Sequence, residues 1–387
     1  MARDLRTWLG PHRAILPIGL AAASTGVVIP SLRALVEQSG HGATAAGVFS
    51  AAHVLGGVLG AALGAQALRR AGSARALAIA ALLASVAITR VMAAVEALPA
   101  RIALRFADGT CHLLAITALV AAQTSGDAAQ RAGRAVIMGV AIVLGVAAGL
   151  GLGAQLATPA IALIAAAALS AGALAGVIRW ISGDPVEPAA DRTAGRGPVA
   201  PGLLAFGERF IFGTLSVALP FLATKGRVGL VLGVFMTASV IALPVARRYA
   251  LRWSARRLAV RSTLGLTVAL GAAGAVDVLA SPLASIAWAI ACGASAGALY
   301  ASALVLAARS TALADRVRDM ATVHAAGSAG HALGALSAGV LASVLPGALV
   351  VALPGTAILA AATIGVWTTV PSRRPRGVDL ARGPSVT

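Results

Sequence analysis

Charge is scarce in this chain. Asp, Glu, Lys and Arg together make up 11% of its 387 residues, under half the share usual in a soluble domain. Without a charged shell a chain of this length cannot present a water-soluble surface, so a soluble globule is excluded. Aromatic residues are also few, at 4%, and the apolar stretches are built from small side chains and 44 glycines, which is how membrane helices bring their backbones together. The two cysteines, Cys111 and Cys292, both lie inside apolar stretches and read as small buried hydrophobes, giving neither a disulfide framework nor a metal site. No Gly-x-x-x-x-Gly-Lys phosphate loop is found, so ATP is not the expected energy source. No close His, Cys and carboxylate spacing suggests a metal. Neither an enzyme activity nor a cofactor is expected.

Lysine is nearly absent as well: Lys225 stands alone among 31 basic residues in a chain of net charge +18. Such an excess invites a nucleic-acid reading, since clustered arginines neutralise phosphates. Placement argues against it. Twenty-four of the 31 basic residues fall in segments that an alternating topology puts on one side of a bilayer, which is the positive-inside pattern. The first apolar run follows Arg3, Arg6 and Arg13 and continues to about Leu35, too long for the core of a signal peptide. It is expected to be an uncleaved first helix, with both chain termini cytoplasmic.

About 20 apolar residues are needed to cross the hydrocarbon core. Scanning on that basis predicts twelve spans, near 14–35, 43–67, 75–97, 101–122, 133–156, 158–180, 203–224, 228–248, 258–280, 282–308, 319–344 and 347–370. The break between the ninth and tenth rests on Ser281-Pro282. The longest polar segment, 182–202, is rich in Pro, Gly and mixed charge and reads as a flexible linker. It divides the chain into a six-helix half at 1–181 and a second at 203–370, followed by a basic tail at 371–387. An internal repeat supports the division: Ala67-Leu68-Arg69 then Ser73-Ala74-Arg75 recurs as Ala250-Leu251-Arg252 then Ser254-Ala255-Arg256, each copy after the second helix of its half.

Two six-helix halves, a central loop and a basic loop after the second helix of each half resemble the major facilitator superfamily. The family's loop after helix two reads Gly-x-Leu-Ala-Asp-Arg-x-Gly-Arg-Arg, and the stretch from Ala65 to Arg75 is similar to it. It offers Arg70, Gly72 and Arg75, with Arg69 where the family has Asp. Gly26-Val27-Val28-Ile29-Pro30 resembles the first-helix signature of drug and metabolite exporters, where proline bends the helix. Arg105-Phe106-Ala107-Asp108-Gly109-Thr110 is similar to the helix-four motif Arg-x-x-Gln-Gly, with Asp108 at the Gln position. Gly145, Gly149 and Gly153, with Leu150 and Ala154, resemble the helix-five antiporter motif, lacking its proline and its last glycine.

The resemblance implies an all-α membrane fold of two pseudo-symmetric halves and secondary transport of a small-molecule cargo by alternating access. The chain would work as a monomer in the cytoplasmic (inner) membrane. Protons are the implied coupling ion, and the helix-five stripe favours export of an amphipathic compound or metabolite. Nutrient uptake by symport stands as one alternative. A transport-inactive assembly or sensory partner is another, suggested by the degenerate loop after helix two.

Ionisable groups at bilayer depth are costly and usually face a partner or a wet cavity. Arg105, Asp108 and His112 follow i, i+3, i+7 spacing and share one face of helix four, as proton-coupling candidates. The competing reading is a structural ion pair that locks helix four to helix three through Arg90. Glu208 on helix seven is a further coupling candidate, with a gate salt bridge as its bland alternative. Glu208 and the adjacent Arg209 diverge by about 100° around the axis and are not expected to pair. Ser24, Thr25, Arg209 and Tyr300 are candidates for cargo contact, and Gly145, Gly149 and Gly153 for helix packing. His324 and His331 on helix eleven are read as neutral groups bonded between helices behind the cavity.

Overall fold

A computed structural model describes residues 14–123, 128–181, 199–252, 255–275, 281–307, 313–345 and 349–369, without the side chains at 65, 69, 120–123, 128–136, 247–252, 255–256, 273–275, 304–307, 313–322, 324, 366 and 368–369. Helix is what a bilayer permits, because every backbone N–H and C=O must be satisfied within the segment. Twelve helical elements follow one another: α1 (Ile15–Glu37), α2 (Ala43–Ala71), α3 (Ala74–Ala94), α4 (Leu98–Gln123), α5 (Ala128–Gln155), α6 (Pro159–Trp180), α7 (Val199–Leu222), α8 (Lys225–Arg252), α9 (Ala255–Ala275), α10 (Pro282–Ala307), α11 (Leu313–Leu341) and α12 (Leu349–Thr369). Pro282 opens α10, placing the break after α9 where Ser281-Pro282 predicts it.

Nine of these, among the described residues, are long and apolar enough to span a membrane: α1 to α8 and α10. In α9, α11 and α12 the fully described stretches are shorter than a span.

Helix ends are set by recognisable signals. Ser73 Oγ accepts from the Ala76 amide at 3.1 Å and Thr158 Oγ1 from that of Ile161 at 3.3 Å, satisfying amides that have no partner within the helix. Gly72 closes α2 at φ +71°, a left-handed conformation that is cheap only without a Cβ. Helix α1 is not continuous: its α-helical part stops at Gly26, a 3-10 turn covers Ile29–Ser31, and helix resumes at Leu32. Pro30 lies in that turn, where its missing N–H and fixed φ break the regular ladder.

The helix pairs of the first six elements recur in the last six. α1 packs on α5 and α6, as α7 packs on α11 and α12; α2 packs on α4 as α8 on α10; and α3 packs on α4 and α6 as α9 on α10 and α12. Between the two sets, α2 meets α11 and α5 meets α8. These crossings are tight. A Cβ on Gly47 would run onto the Ala335 carbonyl, and Thr44 Oγ1 donates to the Gly339 carbonyl at 3.2 Å. Arg33 lies over the Phe221 ring at 5.8 Å, and the Lys225 ammonium bonds the Leu156 carbonyl. All of these contacts lie at the end of the bundle that carries the α1–α2 turn. A second core cluster, including Ile18, Leu82, Leu119 and Val177, sits at the opposite end and draws only on the first half.

Candidate functional site

Asp108 sits ten residues into α4, about 15 Å along its axis at 1.5 Å per residue. Its carboxylate is 5% exposed and is held from three helices. Ser85 Oγ on α3 donates to Oδ1 at 2.6 Å. Thr89 Oγ1 lies 3.4 Å from the same oxygen and donates to the Ser85 carbonyl at 2.7 Å. Arg105 Nη1, one turn earlier on α4, donates to Oδ2 at 2.9 Å, and the guanidinium lies 5.6 Å from the centre of the Phe49 ring on α2. His53 Nδ1, also on α2, stands 3.4 Å from Oδ2 but is not aligned for a hydrogen bond. Its Nε2 faces Thr25 Oγ1 on α1 at 3.3 Å, and its ring lies 5.5 Å from that of His112. Arg105, Asp108 and His112 therefore do share one face, turned toward α2.

Glycine is what lets α2 and α4 come this close. A Cβ on Gly109 would strike the His53 carbonyl, and Cβ atoms on Gly56 and Gly60 would strike the carbonyls of Phe106 and Thr110. Backbone therefore lies on backbone, bringing His53 and Asp108 within reach of each other. Arg90 takes no part: it is exposed, and helix three reaches Asp108 through Ser85 and Thr89 instead of the expected arginine. The physical reason is angular. Residues 85 and 89 lie one turn apart on one face, whereas residue 90 is rotated about 100° away.

The second half carries its own polar group. Glu208 is 7% exposed, and Arg209 Nε lies 3.2 Å from its Oε2, so the adjacent pair does meet despite diverging around the helix. A guanidinium on a flexible stem can swing back across that angle. Arg209 also lies over the Tyr300 ring of α10 at 5.5 Å, and its stem packs where α11 offers Gly327. Tyr300 is buried. Helix α11 packs against both α7 and α2, and the His331 ring meets Phe212 of α7 edge-on at 5.4 Å. The side chain of His324 lies outside the described residues, as does Asp277.

The family model described as Major Facilitator Superfamily matches residues 201–385. The human organic anion transporter MFSD10 (TETRAN) superposes with a TM-score of 0.66 at 17% identity, covering 92% of this chain and 98% of that one. The nucleoside transporter NupG does so with a TM-score of 0.68 at 10% identity, covering 93% of this chain and 98% of that one. The second half of the chain thus matches the superfamily's model, and the chain as a whole shares the fold of these transporters. No curated protein matches the sequence. With nine span-length apolar helices among the described residues it is a multi-pass membrane protein, and its fold is that of these structures.

The α5 stripe faces α1: Cβ atoms on Gly145, Gly149 and Gly153 would strike the carbonyls of Gly19, Ala23 and Val27 in turn. Helix α11 treats α7 the same way, Gly330 and Gly334 lying on the Phe206 and Phe210 carbonyls. In the loop after α2, Gly72 makes the left-handed turn and Arg75 Nη2 donates to the Ile178 carbonyl at 2.8 Å, near the end of α6. Arg70 is exposed, and the side chain of Arg69 lies outside the described residues. Most of the repeat's second copy and the linker at 182–198 lie outside them too. Ser24 Oγ donates to the Ala21 carbonyl of its own helix at 2.6 Å, so its proton is already committed. Four contributors escaped sequence reasoning: Phe49, His53, Ser85 and Thr89. The filter that found Asp108 applies equally to His53, an ionisable side chain midway along the second apolar span.

Proposed function

We propose that this chain is a secondary transporter that moves a small organic molecule across the cytoplasmic membrane by alternating access, coupled to protons at Asp108 and working in the direction of export. The observation that carries the reading is the buried Asp108 carboxylate, shared among Arg105, Ser85 and His53 on three helices of the first half. A carboxylate so deep in the membrane is costly unless it serves a relay or a pathway. Loading it with a proton would loosen its hold on Arg105 and on His53, and His53 reaches α1 through Thr25. Proton binding thus bears on the packing of α1, α2 and α4 together.

Alternating access needs halves that part at one end while meeting at the other. The cross-half contacts at the α1–α2 end suit a form closed there. With the termini cytoplasmic, as the arginine asymmetry suggests, this is the inward-open form. Arg105 beside Phe49 and Arg209 beside Tyr300 offer cations and rings from both halves, which suits an amphipathic cargo or a metabolite. The glycine stripe of α5 against α1 favours export, and the chain is taken to work as a monomer.

The test is proteoliposome transport driven by a pH gradient, with cargo first found by a counterflow or susceptibility screen. Asp108→Asn should fold, retain some cargo binding and lose gradient-driven transport. Wild-type rates in that variant would remove Asp108 from the coupling path. Loss of folded protein instead would mark the carboxylate as a structural ion-pair partner.

A further inference from the structure

Away from the Asp108 cluster, a groove of about 810 Å³ follows the seam where α5 of the first half meets α8 and α10 of the second. Gly151 and Gln155 line it from α5, Gly226, Gly233 and Ile241 from α8, and Ile290 from α10. From Gly226 to Val245, the groove's limits on α8, the helix advances about 28 Å, close to the ~30 Å thickness of a bilayer's hydrocarbon core. The side chains at the rim are exposed and apolar: Leu230, Ile241, Val245 and Ile290. An exposed apolar surface of this depth on a membrane-spanning helix faces hydrocarbon. It is hollow because glycines stand where side chains would fill it: a Cβ on Gly151, Gly226 or Gly233 would meet nothing within 4 Å.

One end of the groove is polar. Lys225, the first residue of α8, holds its ammonium on the carbonyl of Leu156, beside the groove-lining Gln155. An ammonium has three donors, so one bond to a carbonyl leaves capacity for an anion at the level where headgroups lie.

We infer that this groove is a binding site for an anionic phospholipid, one acyl chain lying along the glycines of α8 and the headgroup phosphate meeting Lys225. The bound chain touches both halves at a seam that must shear or open if the halves rock. It is therefore a structural lipid that favours the state in which α5 and α8 meet. This seam role rests on the alternating-access reading, but binding itself does not.

Native mass spectrometry of the purified full-length protein tests it, with phosphatidylglycerol and phosphatidylcholine of identical chains as probes. Phosphatidylglycerol should be retained in preference. Lys225→Gln should weaken that preference about fivefold, the effect of one lysine near an anionic headgroup. Gly233→Phe should displace the lipid by filling the groove, and Gly151→Leu should do so from the opposite half if the first variant folds poorly. Equal retention of the two lipids by the wild type overturns the headgroup assignment and with it the proposal. Undiminished phosphatidylglycerol binding by a folded Gly233→Phe or Gly151→Leu protein overturns the groove. Neither readout depends on transport, so a failure here leaves the Asp108 reading to its own experiment.

Discussion

His53 Nδ1 stands 3.4 Å from Asp108 Oδ2, across a crossing where α2 and α4 touch backbone to backbone. Those residues are 55 positions apart in sequence, and the glycine between α4 and the His53 carbonyl, Gly109, is what permits their approach. With Thr25 on the imidazole's far side, His53 positions the carboxylate relative to α1. Replacing His53 by Phe keeps a ring of similar bulk and removes both polar contacts. Gradient-driven transport is expected to fall about tenfold, equivalent to ~1.4 kcal/mol, with the folded yield little changed. His53→Gln, whose amide can both donate and accept, should recover part of the rate. A full rate in His53→Phe proteoliposomes would remove the imidazole from the coupling path.

Arg105 and Asp108 are a buried pair at 2.9 Å, and removing one partner leaves the other charge stranded. Arg105→Leu should destabilise the protein by about 3–5 kcal/mol, seen as a lowered melting temperature in detergent. The double variant Arg105→Leu with Asp108→Leu should melt above the single one while still failing to transport. A double variant no more stable than Arg105→Leu would contradict the pairing.

The glycine stripes make a steric prediction. Gly149→Leu drives a side chain into the Ala23 carbonyl of α1, and Gly330→Leu into the Phe206 carbonyl of α7; both should insert in the membrane yet transport poorly. Gly139→Ala, where a Cβ meets nothing within 4 Å, is the matched control on α5. Wild-type transport by Gly149→Leu would mean that α1 and α5 separate without cost.

At the loop after α2, Gly72→Ala forces a Cβ into a φ of +71° and should cost about 1 kcal/mol. Arg75→Ala removes the bond to the Ile178 carbonyl and should be milder, because that bond lies at a solvent-exposed helix end. Thermal unfolding of the two variants side by side gives the ranking; the reverse order would assign the loop's stability to the arginine latch.

Topology is open to direct chemistry. Cysteines placed at Thr193 and Ser385 should react with a membrane-impermeant thiol reagent only from the cytoplasm, and one at Thr224 only from outside. Labelling at Thr193 in intact cells would invert the expected orientation, and with it the identity of the closed end.

Composition and hydropathy alone determined that the chain lives in a membrane, where its helices begin and end within a few residues, and that it is all-α. The reason is that a bilayer core of fixed thickness admits few solutions, and twenty-residue apolar runs announce themselves one at a time. The i, i+3, i+7 spacing of Arg105, Asp108 and His112 was equally legible, since it is a property of a single helix. Partners across helices were not. That Ser85 and His53, rather than Arg90, meet Asp108 depends on which face of α3 and α2 turns inward. That Arg209 folds back on Glu208 and α11 packs against both α7 and α2 depends on packing among several helices. Tertiary structure decided these because backbone-to-backbone contact at Gly56, Gly60 and Gly109 sets helix rotation and register to within one residue, and a rotation of about 100° per residue changes every neighbour.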